Sequence, residues 1–260
     1  MSILVTRPSP DGEVLVSRLR ALGQSAWHFP LIEFSSGREL NALPGLLATL
    51  QPGDLLFAVS RHAVHFAHSA LTARSIVWPA HIDGFAPGRS TALALHTVSG
   101  LAINYPRDTE TSEVLLQLPE LQNIAGKRAL ILRGNGGREL LSETLTSRGA
   151  QVVCCECYQR LPRHYDGADE AWRWQSRGIS TLVVTSGEML SQLAATIPAP
   201  YKTNWLFRCR LIVVSARLAQ LARDLGWQDI ITASNADNDA LLRALQPLNN
   251  MGCHNDGTTA

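Results

Sequence analysis

The sequence predicts an α/β protein built from two similar doubly wound parallel-sheet domains. Three observations carry this. Short, almost wholly apolar runs (ILVTR, LLFAVS, ALILRG, LVVTS, LIVVS) alternate with segments of helical spacing, as expected for strands covered on both faces. The chain repeats itself at one constant offset. Its 260 residues, 45% apolar and 17% charged, are enough for two ordinary cores and too apolar for a disordered chain.

The repeat is read by laying residues 3–33 against 129–159 without gaps. Leu4/Leu130, Arg7/Arg133, Glu13/Glu139, Leu15/Leu141, Leu19/Leu145 and Gly23/Gly149 are identical, where composition alone would give about two matches. The same offset of 126 pairs Leu56/Leu182, Ser60/Ser186, Leu95/Leu221, Gly100/Gly226, Leu115/Leu241 and Leu116/Leu242.

Within the first unit, ILVTR is a strand. Residues 11–22 have helical spacing at Val14, Leu15, Arg18, Leu19 and Leu22, and Gly23 stops that helix. AWHFPLIEF reads as a strand, 42–50 as a short helix, LLFAVS as a buried strand and 63–71 as a helix. IDGFAPG is a weak strand and turn, 91–98 a helix, LAINYP a strand and 112–118 the last helix. The second unit repeats the pattern: ALILRG, a helix over 139–148, VVCCECYQ, a helix over 168–177, LVVTS and a helix over 189–196. LIVVS, a helix over 217–225, DIITAS and a helix over 240–245 complete it, and the polar tail 249–260 reads as disordered.

Charge and composition exclude several classes. Lys plus Arg total 23 against 22 Asp plus Glu, a net charge of +1, without the basic excess that nucleic acid or an anionic membrane asks for. No apolar run approaches a membrane span, and Arg7 and Asp11 interrupt the stretch where a signal peptide would be apolar, which predicts a cytoplasmic protein. The five cysteines suit a reducing compartment. Cys154, Cys155 and Cys157 lack the spacing of a zinc site, and strand alternation sets Cys155 on the face opposite its two neighbours, so no metal is expected there.

In open parallel sheets, ligands bind beyond the carboxyl ends of the strands, where loops lead into helix amino termini. The predicted junctions are Thr6-Arg7-Pro8-Ser9, Ser60-Arg61-His62, Pro87-Gly88-Arg89-Ser90-Thr91, Arg133 to Arg138, Thr185-Ser186-Gly187 and Ser215-Ala216-Arg217. Their hydroxyls, glycines and arginines suit an anionic ligand, although at any one junction a Ser or Thr can simply cap its helix. Sharper motifs fail. Arg133–Arg138 lacks the third glycine of a dinucleotide fingerprint and the Lys-Ser/Thr of a P-loop. His62, His65 and His68 fan over about 120° of a helix, with no carboxylate among them. Ser186-Gly187-Glu188 lacks the preceding glycine of a nucleophile elbow.

Taken in order, ILVTRP, LGQSAWHFPLIEF, LLFAVSRHAV, FAPGRSTALAL, ALILRGNGGRELL, CECYQR, LVVTSGEML and VVSARLAQLARDLG resemble the uroporphyrinogen-III synthase family of enterobacterial type, from residue 1 to about 246. The resemblance implies an enzyme that takes linear hydroxymethylbilane, expels its hydroxymethyl oxygen as water and closes the macrocycle with the last pyrrole ring inverted. The implied route runs through an azafulvene cation and a spiro-pyrrolenine. It further implies no metal or organic cofactor, a monomer in the cytoplasm, and a tetrapyrrole polycarboxylate substrate handed over by the preceding enzyme.

The family's architecture redraws the domains as 1–35 plus 166–248 and 38–162, joined by two crossing segments near 34–40 and 160–166 with a cleft between them. Residue roles carried over are Tyr158 as the group assisting departure of the hydroxyl and Thr91 as a second catalytic candidate. Arg7, Ser60, Gly88, Ser90, Arg133, Gly134, Asn135, Ser186 and Ser215 are the substrate-binding candidates; some relatives carry threonines in the turn where Ser215 stands. The competing class is a two-lobed α/β binding or sensor protein for a polyanionic small molecule.

Overall fold

The protein is described by a computed structural model over residues 2–246, so the expected tail at 249–260 and the end of the first domain at 248 lie outside the described residues. In chain order the first elements are β1 (Ser2–Val5), α1 (Asp11–Ala21), β2 (Ser25–His28), β3 (Ile32–Ser36), α2 (Leu43–Ala48), β4 (Leu55–Ala58) and α3 (Arg61–Thr72). There follow β5 (Asp83–Phe85), α4 (Arg89–Ser99), β6 (Ile103–Asn104), α5 (Ser112–Leu115), β7 (Arg128–Gly134), α6 (Leu140–Ser147) and β8 (Gln151–Pro162). The last are α7 (Gly167–Ser176), β9 (Ile179–Val183), α8 (Gly187–Thr196), α9 (Ala199–Asn204), β10 (Arg210–Val213), α10 (Ala216–Leu225), β11 (Ile230–Thr232) and α11 (Asn238–Leu245).

The chain divides into two compact units. One runs up to Glu33 and resumes at Leu161, and the other is Phe34–Arg160. The divisions fall inside β3 and β8, rather than in segments following them.

The first unit holds a five-stranded sheet in the order β11-β10-β9-β1-β2, with parallel pairing throughout. Strand alternation sorts its side chains onto two cores. Ile3, Val5, Val183 and Ile212 pack with Leu15, Leu19, Leu241 and Leu245 from α1 and α11. Leu4, Leu182, Leu211 and Val213 face the other way, onto Trp174, Leu190, Leu193 and Leu218 from α7, α8 and α10.

The second unit holds a six-stranded sheet in the order β3-β8-β7-β4-β5-β6; its β8-β7-β4-β5-β6 pairs are all parallel. Leu56, Ala58, Leu130, Leu132, Cys155 and Cys157 pack under α2 and α3, while Leu55, Phe57, Ala129 and Ile131 pack against Leu115, Leu141 and Leu145 of α5 and α6. The burial of each such Leu or Phe contributes about 1.5–3 kcal/mol. Matched through the offset of 126, the two sheets have the same order: β7, β8, β4, β5 and β6 stand where β1, β2, β9, β10 and β11 stand. In each, the strand order reverses between one repeat's first strand and the other repeat's third, β1 beside β9 and β7 beside β4.

Three expectations change. AWHFPLIEF is two strands, β2 and β3, broken around Pro30, which has no N–H to give a ladder. The six-residue α9, with Pro200 in its first turn, is too short to show periodicity, and the sequence does not predict it. Cys155 and Cys157, two apart on β8, share a face with sulfurs 3.8 Å apart, and it is Cys154 that turns to the other core. Period-two alternation separates Cys154, not Cys155, from the trio. No described helix is long and apolar enough to cross a membrane.

Candidate active site

Tyr158 is placed by an irregularity in β8. Pairing with β7 runs Leu132–Cys155 and Arg133–Glu156, then slips so that Gly134 pairs with Tyr158. An extra residue in one strand re-aims the side chain that follows. Cys157 and Tyr158, though adjacent, therefore both pack on the α2/α3 face, and Tyr158 is 8% exposed. Gly134 is required beneath it, because a Cβ there would lie 2.5 Å from Tyr158 Cζ and within 3 Å of both Cε atoms.

The Tyr158 hydroxyl accepts a hydrogen bond of 3.2 Å from Ser60 Oγ. Ser60 is the cap of α3, its Oγ accepting from the Ala63 N–H at 3.1 Å. Asn135 completes the corner: its N–H donates to the Tyr158 carbonyl at 3.0 Å, and its Oδ1 accepts from the Arg160 N–H at 2.7 Å. Ser60, Gly134, Asn135 and Tyr158 thus meet at the β7/β4 reversal, where the fold rule places ligands.

Three further rings surround Tyr158. Phe34 stands edge-on at 5.5 Å between centroids, His62 lies at 5.7 Å, and Phe66 lies nearly parallel at 6.0 Å. Phe34 and His62 also stack on each other at 3.9 Å. On sequence alone His62 is weighed only as a metal ligand or part of a solvated face, and Phe34 and Phe66 are not singled out. The signal available is the His62/Phe66 spacing of four, which sets both on one helix flank.

One strand further on, Gly88 caps α4 with the same extended backbone as Ser60, φ −160°, but no side chain. A Cβ there would meet the Glu110 carboxylate at 2.4 Å. Ser90 is exposed and Thr91 is 7% exposed in the first turn of α4. Glu110 and Arg133 also line a cavity of about 300 Å³ with Pro87, Ser112, Arg138 and Ser142.

In the other unit, Ser186 caps α8 by accepting from the Met189 N–H at 3.2 Å, and Ser215 caps α10 from Leu218 at the same distance. Capping uses an oxygen lone pair, so each hydroxyl keeps its proton to donate outward, beside N–H groups at the positive helix end.

The duplicated arginines occupy equivalent posts. Arg7, 8% exposed, donates to Asn238 Oδ1 at 2.5 Å and to Asp11 Oδ2 at 3.2 Å. Arg133 donates to both Glu139 oxygens at 2.9 and 3.0 Å and to the Gly136 carbonyl. Hydrogen bonding by Arg133 holds the Glu139 carboxyl below its usual range and raises the arginine's own. The Arg133 side chain leaves β7 on the Cys154 side, away from Tyr158.

Among the described residues no group of three or more His, Cys, Asp or Glu is placed to hold a metal ion. His68 Nδ1 instead accepts from the Trp78 indole at 3.4 Å. Cys157 donates to Cys155 Sγ, which together with burial pushes the Cys157 thiol up.

The family described as "Uroporphyrinogen-III synthase HemD" matches residues 13–243. The uroporphyrinogen-III synthases of Salmonella typhimurium and Escherichia coli are each 70% identical over 246 residues, 95% of this chain and all of theirs. That of Proteus mirabilis is 46% identical over 75% of this chain and 98% of its own. Among solved structures, a mutant uroporphyrinogen III synthase of the extremely thermophilic bacterium Thermus thermophilus aligns with a TM-score of 0.59 at 19% identity, covering 94% of this chain and 99% of that one. The Helicobacter pylori enzyme aligns at 0.56 and 17% identity, over 93% and 96%. These structures share the fold.

Proposed function

The chain belongs to the uroporphyrinogen-III synthase family, and on that premise we propose how its own residues carry the reaction: Tyr158 assists loss of the hydroxyl, and the polar strand-to-helix junctions hold the substrate's carboxylates. The activity is the cyclisation of hydroxymethylbilane, with loss of water and inversion of the terminal pyrrole ring, to uroporphyrinogen III. It is a cofactor-independent lyase reaction.

The observation that carries the residue assignment is the Ser60–Tyr158 hydroxyl pair at the β7/β4 reversal. With Ser60 donating to it, the phenol is free to turn its own proton toward a leaving oxygen. The C–O bond breaks with its electron pair on oxygen, the phenolic proton goes to that oxygen and water departs. The positive charge left on carbon spreads into the pyrrole ring. The α-hydrogen lost as a proton when the macrocycle closes restores the phenol, so hydroxymethylbilane is converted to product plus one water.

Thr91 supplies a second hydroxyl from the first turn of α4. Gly88, Ser90, Gly134 and the Asn135 side-chain amide in one unit, and Ser186 and Ser215 in the other, offer donors to carboxylates, while Ser60 serves the substrate site by holding the Tyr158 hydroxyl. Arg7 and Arg133 act through the field of guanidiniums already held by Asp11 and Glu139. The bulk of the acceleration comes from holding the ends of a flexible chain within attack distance and from fixed dipoles around the cation. The same reading makes the protein a cytoplasmic monomer receiving its substrate from the enzyme that makes hydroxymethylbilane. Cysteines left free among the described residues support the cytoplasmic part of this reading.

The test is incubation with freshly made hydroxymethylbilane and separation of type I from type III product. Type III is expected from the wild type, with Tyr158→Phe lowering kcat by about 100-fold while still yielding type III. Type I alone, above background, overturns the enzymatic reading in favour of a binding or sensor protein; an unchanged kcat for Tyr158→Phe overturns the role of the phenol.

A further inference from the structure

The rings around Tyr158 pack at the margin of the α2/α3 core, where they are only partly buried. The buried residues of α3 are Ala63, Val64, Ala67, Ala70 and Leu71, all aliphatic. Phe66 is only partly buried, on the flank of that helix, one turn beyond His62. Phe34, from β3, is likewise partly buried and is pinned by its stack on the His62 ring. Both phenylalanines are thus held in place by packing yet stay partly exposed, and they flank the phenol whose hydroxyl meets Ser60.

We propose that Phe66 and Phe34 form an aromatic platform on which the reacting pyrrole ring is held while it becomes a cation. The inference rests on the reading of Tyr158 given above and extends it to the charge that the departing hydroxyl leaves behind. A pyrrole is a flat, electron-rich ring that packs well on an aromatic face. Once the hydroxyl leaves as water it carries a delocalised positive charge, and the negative face of a neighbouring ring attracts it. The attraction is stronger for the cation than for the neutral ring, so it lowers the barrier rather than merely tightening substrate binding. Phe66 lies near-parallel to Tyr158, at 22° between planes and 6.0 Å between centroids, which sets the platform directly beside the proton donor. Serine and backbone donors bind carboxylates, which every ring of the substrate carries; the platform instead singles out the ring that ionises.

The substitution that separates this from ordinary packing is Phe66→Leu, which keeps an apolar side chain of similar reach and removes the π face. Steady-state kinetics on hydroxymethylbilane with product separation, alongside the melting temperature, are measured for wild type, Phe66→Leu, Phe66→Trp and Phe34→Leu. The expected result is a kcat about 3- to 30-fold lower for Phe66→Leu. KM should move less than about twofold and the melting temperature by only a few degrees, with most of kcat restored by Phe66→Trp. Phe34→Leu should follow the same direction. A wild-type kcat in Phe66→Leu overturns the proposal, and so does a loss that appears in KM alone or that tryptophan fails to restore. A wild type that makes only type I product fails the functional reading itself, whereas type III from wild type with an indifferent Phe66 fails the platform alone.

Discussion

Replacing Gly134 by alanine adds one methyl group directly beneath the Tyr158 ring. The new carbon would stand 2.5 Å from Cζ, 2.8 Å from Cε2 and 2.9 Å from Cε1, whereas carbon atoms rest at about 3.5–4.0 Å. The ring must withdraw by about 1 Å. It has little room, because Phe34, His62 and Phe66 surround it and Tyr158 is 8% exposed. The bond from Ser60, already 3.2 Å, does not survive such a shift. Overpacking of this kind costs about 1–3 kcal/mol, equivalent to a fall of roughly 3–10 °C in melting temperature for a chain of this size. A displacement of about 1 Å at a proton donor costs on the order of 100-fold in rate.

The assay is kcat for type III formation in a double-mutant cycle with Tyr158→Phe, together with thermal melts. If Gly134→Ala acts through the position of the phenol, it lowers kcat strongly in the wild type and adds little in the Tyr158→Phe background. Gly45→Ala, where an added methyl meets nothing within 4 Å, is the control for kcat; within α2 it should raise rather than lower the melting temperature. An unchanged kcat and melting temperature for Gly134→Ala refute the reasoning. Equal and independent losses in both backgrounds refute it too.

Two further outcomes follow from the electrostatics. Because hydrogen bonds from Arg133 lower the Glu139 carboxyl in the folded state, its stabilising contribution is present above the unfolded carboxyl's range, near about pH 4.3. That contribution is lost as pH falls through the lower, folded value. Wild type should therefore exceed Glu139→Gln in stability at neutral pH and converge with it in acid. A Glu139 titration at the ordinary midpoint, read by NMR, contradicts this. Burial pushes the Cys209 thiol up to about 12, so about one in ten thousand is ionised at pH 8. In a Cys253→Ser background, Cys209 should resist alkylation in the native protein and react on unfolding, as read by peptide mass mapping; native labelling as fast as that of half-buried Cys154 refutes it.

Much of the fold is legible in the chain because parallel strands buried on both faces must be apolar, and the helices between them must be apolar on one stripe. β4, β7, β9 and β10 stand out for this reason. The break at Pro30 and the short α9 do not, since a single proline or a six-residue helix leaves no periodic trace. The serines at the junctions are readable as caps and as donors alike; at Ser186 and Ser215 the oxygen caps and the proton remains to be given, while Ser60 gives its proton to Tyr158. The arginine pair at positions 7 and 133 is readable as a repeat but not as a role, because Asn238, which holds Arg7, lies 231 positions away and is found only by folding.

By itself the sequence determined the α/β class, the duplication at 126 residues and the family, all properties that local patterning and order along the chain can carry. Only the tertiary structure decided what surrounds Tyr158. The register slip between Arg133 and Gly134 turns Tyr158 onto the face of Cys157, against the alternation a strand would otherwise impose. Ser60, Phe34 and Phe66, all at least 92 positions away, then come to its side. Hydrogen-bond register and side-chain packing are relations between distant segments, and no window of neighbouring residues contains them.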